Sequence, residues 1–295
     1  LGIISMVWPV PVIIVGYRNG LKASILSALS AALIVSLVTY PLVGLGLFAG
    51  FGIPGIIMGY MINKRINPHL IILVCGVVLS LTMVAEFLLS LMAAGLDIVG
   101  FFKNLDATMA AQMDKALVIY RQLGVSEKDI KYFKDFWALS VQMIKIILPS
   151  SLLMGGIFFS LIDFKLTRTI LKRIGHDIGD IKEFAQWRIP EPYSFILIAL
   201  AIASTVVSYF KVPGLEAVAL NVSSVIMFIF TIVGISVVVY YSRVFGDKYD
   251  VPKPVRTILV VLLVLFFARF IVLIGIIDIT LNFRRLQSRN SGGAR

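Results

Sequence analysis

The sequence predicts an all-α polytopic transmembrane helical bundle, with about eight spans and two amphipathic extramembrane helical segments. Three observations predict it. Charged residues are only 15% of the chain and hydrophobic residues 59%, whereas soluble domains carry about 25% charged residues. Apolar runs of 17 or more residues recur along all 295 positions, and a bilayer crossing needs roughly 20. The Lys and Arg residues behind the net charge of +11 stand in the gaps between those runs. That placement fits a positive-inside membrane protein and argues against nucleic-acid binding.

The eight apolar segments follow in order. Segment 1–17 is broken by Trp8-Pro9-Val10-Pro11. With no basic n-region and no A-x-A-like cleavage site, it reads as a retained helix rather than a signal peptide. Segment 23–42 is rich in Ala, Ser and Leu, and 45–62 carries five glycines. Segment 69–95 contains one acid, Glu86; 138–162 contains Lys145 and Pro149; 193–210 and 217–242 follow; 257–278 contains Arg269. All must be helical, because lipid offers backbone groups no other partner. The polar closing stretch SRNSGGAR reads as a tail. The whole chain, 1–295, is one integral membrane domain.

Two connections are long, 96–137 and 163–192. In the second, Leu166, Ile170, Ile174, Ile178, Ile181 and Phe184 recur every three or four positions with charges between them. That period predicts a helix lying on a membrane surface or on a partner. The first reads as short helices broken at Gly124. Asp163, Asp177, Asp180 and Glu183 read as charge balance on a solvated face. Eight spans place 14 Lys and Arg on the face of loops 18–22, 63–68, 163–192 and 243–256, against 11 on the other. The richer face is predicted cytoplasmic, although the tail's NFRRLQSR argues the other way. One miscounted helix would reconcile the two.

A lone carboxylate in hydrocarbon is unfavourable by about 2 kcal/mol or more unless it has a partner, water or a proton. At about 1.5 Å rise per residue, Glu86 lies about 6 Å from the midplane of its helix. Lys145, Arg269 and Asn221 fall on the same side, about 7, 2 and 13 Å out by the same measure. Four polar groups from four helices sharing one half of the bilayer predict a polar intramembrane pocket opening to one face. A structural ion pair that binds nothing is the plainer alternative. Ser24, Ala28 and Ala32 form a small-residue ridge, which packs helices closely within a chain or docks another membrane subunit.

No G-x-S-x-G, H-E-x-x-H, G-x-x-x-x-G-K-[ST] or CxxC stands in the sequence, so no enzyme activity is predicted. Cys75 is the single cysteine, and its setting and the two distant histidines give no metal spacing. No cofactor or metal is predicted.

An early P-V-P before G-Y-R-N-G, W-R-I-P at 187–190 and a closing D-x-x-x-N-F-R-R at 278–285 resemble the YybS family of uncharacterised polytopic bacterial membrane proteins. The resemblance implies a distant similarity to the substrate-binding (S) subunits of energy-coupling-factor vitamin transporters and to the rod-shape protein MreD. It implies a bundle with an outward-facing pocket, docked through small-residue ridges on a partner membrane subunit that couples to ATPases. The chain departs from that layout in having more than six spans and two long loops. The expectation is therefore a multi-pass protein of the bacterial cytoplasmic membrane that binds or helps transport a small molecule. Its predicted ligand residues are Glu86, Lys145, Arg269 and Asn221. The alternative is a non-transporting scaffold that recruits a membrane subunit or a cytoplasmic protein through Ser24, Ala28, Ala32, Ile174 and Ile178.

Overall fold

The computed structural model describes residues 7–282 and residue 284; the first six residues and the tail from 285 lie outside the described residues. The described chain is all helical, and it divides into two compact units, one ending at Asp180 and one beginning at Ile181.

The first unit holds α1 (Pro9–Asn19), α2 (Leu21–Val38), α3 (Pro41–Leu47), α4 (Ile53–Asn63), α5 (Pro68–Ala93), α6 (Ile98–Gln122) and α7 (Glu127–Arg173). A π-helical turn, Phe48–Gly52, joins α3 to α4. Small residues decide the packing. Ser24, Ala28 and Ala32 are all buried. Ser24 Oγ donates to Val12 O at 3.0 Å, Ala28 meets Gly52, and Ala32 meets Gly44. The predicted docking ridge is thus occupied by the chain's own helices. Its opposite face carries the exposed Leu26, Leu33 and Leu37.

The longest helices of this unit, α5 and α7, cross where Gly76 meets Ile157 and Gly156 meets Ser80. Ser80 Oγ donates to Leu152 O at 3.1 Å. A Cβ at either glycine would overlap the opposite backbone, so glycine permits this approach. Gly124 (φ +76°) separates α6 from α7, and Ser126 caps α7 by accepting from Asp129 N–H, a typical helix start.

The second unit holds a 3₁₀ turn, Phe184–Gln186, then α8 (Glu191–Tyr209), α9 (Glu216–Lys248), α10 (Lys253–Phe266) and α11 (Ala268–Leu281). Its core is Ile226, Phe230, Val233 and Ile279, packed with Leu197 and Ile198. Gly234 and Gly275 let α9 and α11 approach backbone to backbone.

Among the described residues five helices are long and apolar enough to cross a bilayer: α2, α3–α4, α5, α7 and α9. A sixth is reached if α10 and α11, bent by 101° at Phe267, count as one span. The predicted first and sixth segments appear as α1, of 11 residues, and as an apolar helix from Tyr193 to Tyr209. The surface helix predicted through 166–184 stops at Arg173. Gly175 (φ +87°) and Gly179 (φ +84°) take the left-handed region, which ends helices. The segment then runs irregularly to the 3₁₀ turn, with Ile174 at the α7 C-cap and Ile178 beyond it.

Candidate functional site

Glu86 stands on α5 one and a half turns past the Ser80 crossing. It is half-buried, and the glycine face of α3 and the π-helical turn lies directly against its carboxylate. A Cβ on Gly50 would overlap both carboxylate oxygens, and one on Gly46 would touch Oε1 at 3.6 Å. The neighbouring Thr82 Oγ1 donates to Leu79 O at 2.9 Å. Widened π turns recur at functional sites because they displace the backbone from the regular ladder. Here the turn and α5 enclose a cleft of about 350 Å³ lined by Val43, Leu47, Phe51, Leu89 and Ser90 besides Glu86. Ser90 Oγ is committed to Glu86 O at 2.7 Å. Among the described residues the Glu86 carboxylate has no ion pair or hydrogen bond.

Lys145 has another partner. Its Nζ pairs with Asp106 on α6 and lies 5.7 Å from the Phe102 ring centroid. The pair borders a cleft of about 610 Å³ between α6 and α7, with Met109, Trp137 and Gln142. Arg269 and Asn221 belong to the second unit. Arg269 is exposed in the first turn after the Phe267 break. Asn221 Nδ2 donates to Ala217 O at 2.8 Å.

Two polar groupings carry no weight in the sequence-based site. On α7, Ser160, Asp163 and Thr167 are almost wholly buried, at 0%, 2% and 0% exposure. Among the described residues Ser160 Oγ, Asp163 Oδ1 and Thr167 Oγ1 have no hydrogen-bond partner, and the buried Cys75 thiol of α5 lies within coulombic range of Asp163. The sequence reading placed Asp163 on a solvated face. It is buried because α7 runs on past residue 162 without a break. S-x-x-D-F-x-x-T at 160–167 carries the signal, since its spacing of three and four puts all three polar residues on one face. The other acids of that stretch are exposed and engaged: Asp180 with Arg168, Glu183 with Arg243, and Asp177 with Gly179 N–H.

In the second unit Asp278 and Arg284 form a fully buried ion pair. Arg284 Nε and Nη2 both donate to Asp278 Oδ2, at 3.0 and 2.6 Å. Nη1 donates to Ala185 O at 2.7 Å and to Ser236 Oγ at 2.9 Å, and Nη2 to Trp187 O at 2.9 Å. Ser236 Oγ in turn donates to Phe184 O at 2.6 Å. The two late motifs, W-R-I-P and D-x-x-x-N-F-R-R, therefore meet in one knot built from the interior of α9 at Ser236, the end of α11 and the 184–187 turn.

The family model for predicted membrane proteins designated DUF2232 matches residues 1–279. The chain belongs to the DUF2232 family. It is similar to the uncharacterized protein YybS of Bacillus subtilis (strain 168), with 25% identity over 264 residues, covering 86% of this chain and 79% of that protein. No solved structure matches. As a DUF2232 protein with several long apolar helices, the chain is a multi-pass membrane protein residing in the lipid bilayer.

Proposed function

We propose that this chain is a small-molecule-binding, transport-related membrane protein of the S-subunit type, with the Glu86 cleft as its ligand site. The observation that carries the reading is the Glu86 carboxylate, set on a glycine-lined π turn inside an apolar cleft without a protein partner. Intramembrane acids are unfavourable, and function is the usual reason a chain retains one. A cleft of about 350 Å³ is at the small end of the range for organic ligands. The α6–α7 cleft beside Lys145 is a second place for a polar ligand group, and Arg269 and Asn221 remain candidates from the second unit. In this reading the bundle has eight membrane segments: the five long helices, α1, α8 and the broken pair α10–α11.

The test is a thermal-shift screen of the purified full chain in detergent against small polar and charged molecules. A ligand that stabilises wild type should lose its shift in Glu86→Gln, while Glu86→Gln keeps the wild-type midpoint without ligand. A shift that is the same in both proteins removes Glu86 from the site.

The scaffold reading has one observation in its favour. Ile174 is 48% exposed beside Lys172 and Arg173 at the end of α7, a mixed apolar and basic tip suited to a partner. Ile174→Asp with Ile178→Asp should abolish partner recovery in pull-downs while leaving the ligand shift intact.

A further inference from the structure

We propose that Asp163 is a proton-binding site, a carboxylic acid flanked on its own helix by the Ser160 and Thr167 hydroxyls. The inference uses residues apart from the Glu86 cleft, so either proposal can fail without the other.

The hydroxyls give the first indication. A Ser or Thr in a helix commonly donates to the carbonyl four residues back, and this chain does so at Thr169, Thr205, Ser224 and Thr231. Ser160 and Thr167 are fully buried and do not; their Oγ atoms have no partner. Together with Asp163 Oδ1 they make three buried polar atoms on one face of α7. Burying such atoms without hydrogen bonds is unfavourable, and an unpaired ionised carboxylate far more so.

Among the described residues no ion pair offsets a charge there. From α5 the group facing Asp163 is the Cys75 thiol. From α1, the Tyr17 ring packs edge-on against His176, and Arg18 is exposed. On α7 itself, Lys165 is exposed, and Arg168 turns to Asp180 and Gly179 O. The α6 charges near α7 lie at its far end, where Asp106 takes Lys145. A carboxyl in that setting is accommodated by carrying its own proton.

Geometry chooses the proton over a metal ion. Ser160 and Thr167 are seven residues apart, about 10 Å along the helix. Oxygens sharing one metal ion lie within about 5 Å of each other, at ligand distances of 2.0–2.6 Å. A single ion could therefore touch Asp163 and one hydroxyl, too few oxygens for a cage. Among the described residues, no group of three His, Cys, Asp or Glu could hold a metal either. Each hydroxyl is an i, i+3 or i, i+4 neighbour of Asp163, about 5–6 Å away at Cβ. One water making two hydrogen bonds of about 2.8 Å bridges that gap.

Depth gives the proton a route. Leu152 marks the crossing near the middle of α5, and Asp163 lies eleven residues further along α7, about 16 Å. That is the edge of a hydrocarbon layer about 30 Å thick, on the side of Lys64, Lys172 and Arg173. Asp163 would exchange its proton with that aqueous face: the carboxylate oxygen forms the O–H bond on uptake and returns the proton to water on release.

The test compares full-length wild type with Asp163→Asn, an uncharged isostere, by thermal midpoint in detergent across pH. Above the ordinary carboxylate range the acid is ionised in the unfolded chain but still protonated in the folded one. In the window from there up to ionisation of the folded-state acid, wild type should therefore lose stability relative to Asp163→Asn as pH rises. The loss reaches up to tenfold in the folding constant per pH unit through that window. A wild type that instead gains on Asp163→Asn as pH rises, or a difference independent of pH, overturns the proposal. A second measurement is covalent: dicyclohexylcarbodiimide modifies protonated carboxyls in apolar sites, and mass spectrometry locates the adduct. The expected result is modification at Asp163 that declines as pH rises and ignores sodium at constant ionic strength. In Ser160→Ala/Thr167→Val it should persist to higher pH, because the donors that stabilise the ionised form are gone. Protection by sodium would assign the site to a metal cation instead.

Discussion

Arg284 donates five hydrogen bonds from a position that is 4% exposed. A buried ion pair of this kind need not raise net stability, but removing one partner leaves the other charge uncompensated, at about 3–5 kcal/mol. Arg284→Ala or Asp278→Asn should therefore lower the thermal midpoint sharply. Replacing both with apolar residues, Asp278→Leu with Arg284→Met, should recover much of it. Melting curves of the three proteins check this. Gly50 poses a different constraint. Its missing side chain is the space that the Glu86 carboxylate fills, so Gly50→Ala must push that carboxylate away. We expect Gly50→Ala to lose ligand-induced stabilisation like Glu86→Gln, whereas Gly155→Ala, whose Cβ meets nothing within 4 Å, should keep it. At this scale the sequence was a fair guide to type and a poor guide to partner. It singled out Glu86 as an anomaly but gave Lys145 no hint of Asp106, because a pairing 39 residues apart depends on how α6 folds back. It missed Asp163 because an acid at the end of an apolar run looks like the start of a loop.

Helices in this protein meet through their smallest residues. The α5–α7 crossing depends on Gly76 and Gly156, and in lipid such close approach, rather than apolar burial, holds helices together. Gly156→Leu should separate α5 from α7 and reduce the yield of folded protein, read as a lost monodisperse peak in detergent; Gly155→Leu on the next position should be mild. Existence and type of the long helices were legible from apolar run length alone, and α2, α5 and α9 correspond closely to the runs that predicted them. Ends were less legible. The period of three and four through Ile174, Ile178 and Ile181 suggested a helix, but two glycines with φ near +85° override periodicity. The π turn at Phe48–Gly52 left only its glycines as a trace.

Across the whole molecule, the distribution of Lys and Arg predicts which loops face the cytoplasm. Cys75 is the single cysteine and is buried, so the native chain should be silent to membrane-impermeant maleimides while folded. Single cysteines placed at Arg65 and Lys248 should react in inside-out vesicles and stay protected in intact cells; the reverse pattern would invert the orientation. The late sequence motifs gave no outward sign of their meeting, since they are about 90 residues apart and join only through α8, α9 and the turn of the chain between them.

The bend at Phe267 bears on the tail. Two 14-residue legs are each about 21 Å long, well short of a hydrocarbon layer about 30 Å thick. Folded by 101°, the pair would fit a wedge that dips to mid-depth and returns to the face it entered from. Counted with the face of Lys253 and Arg256, the four tail arginines would leave 18 basic residues on one side and 7 on the other. A reporter joined after residue 295 should light up on the same side as one inserted at Lys248, and the arithmetic that set the tail against the loops would dissolve.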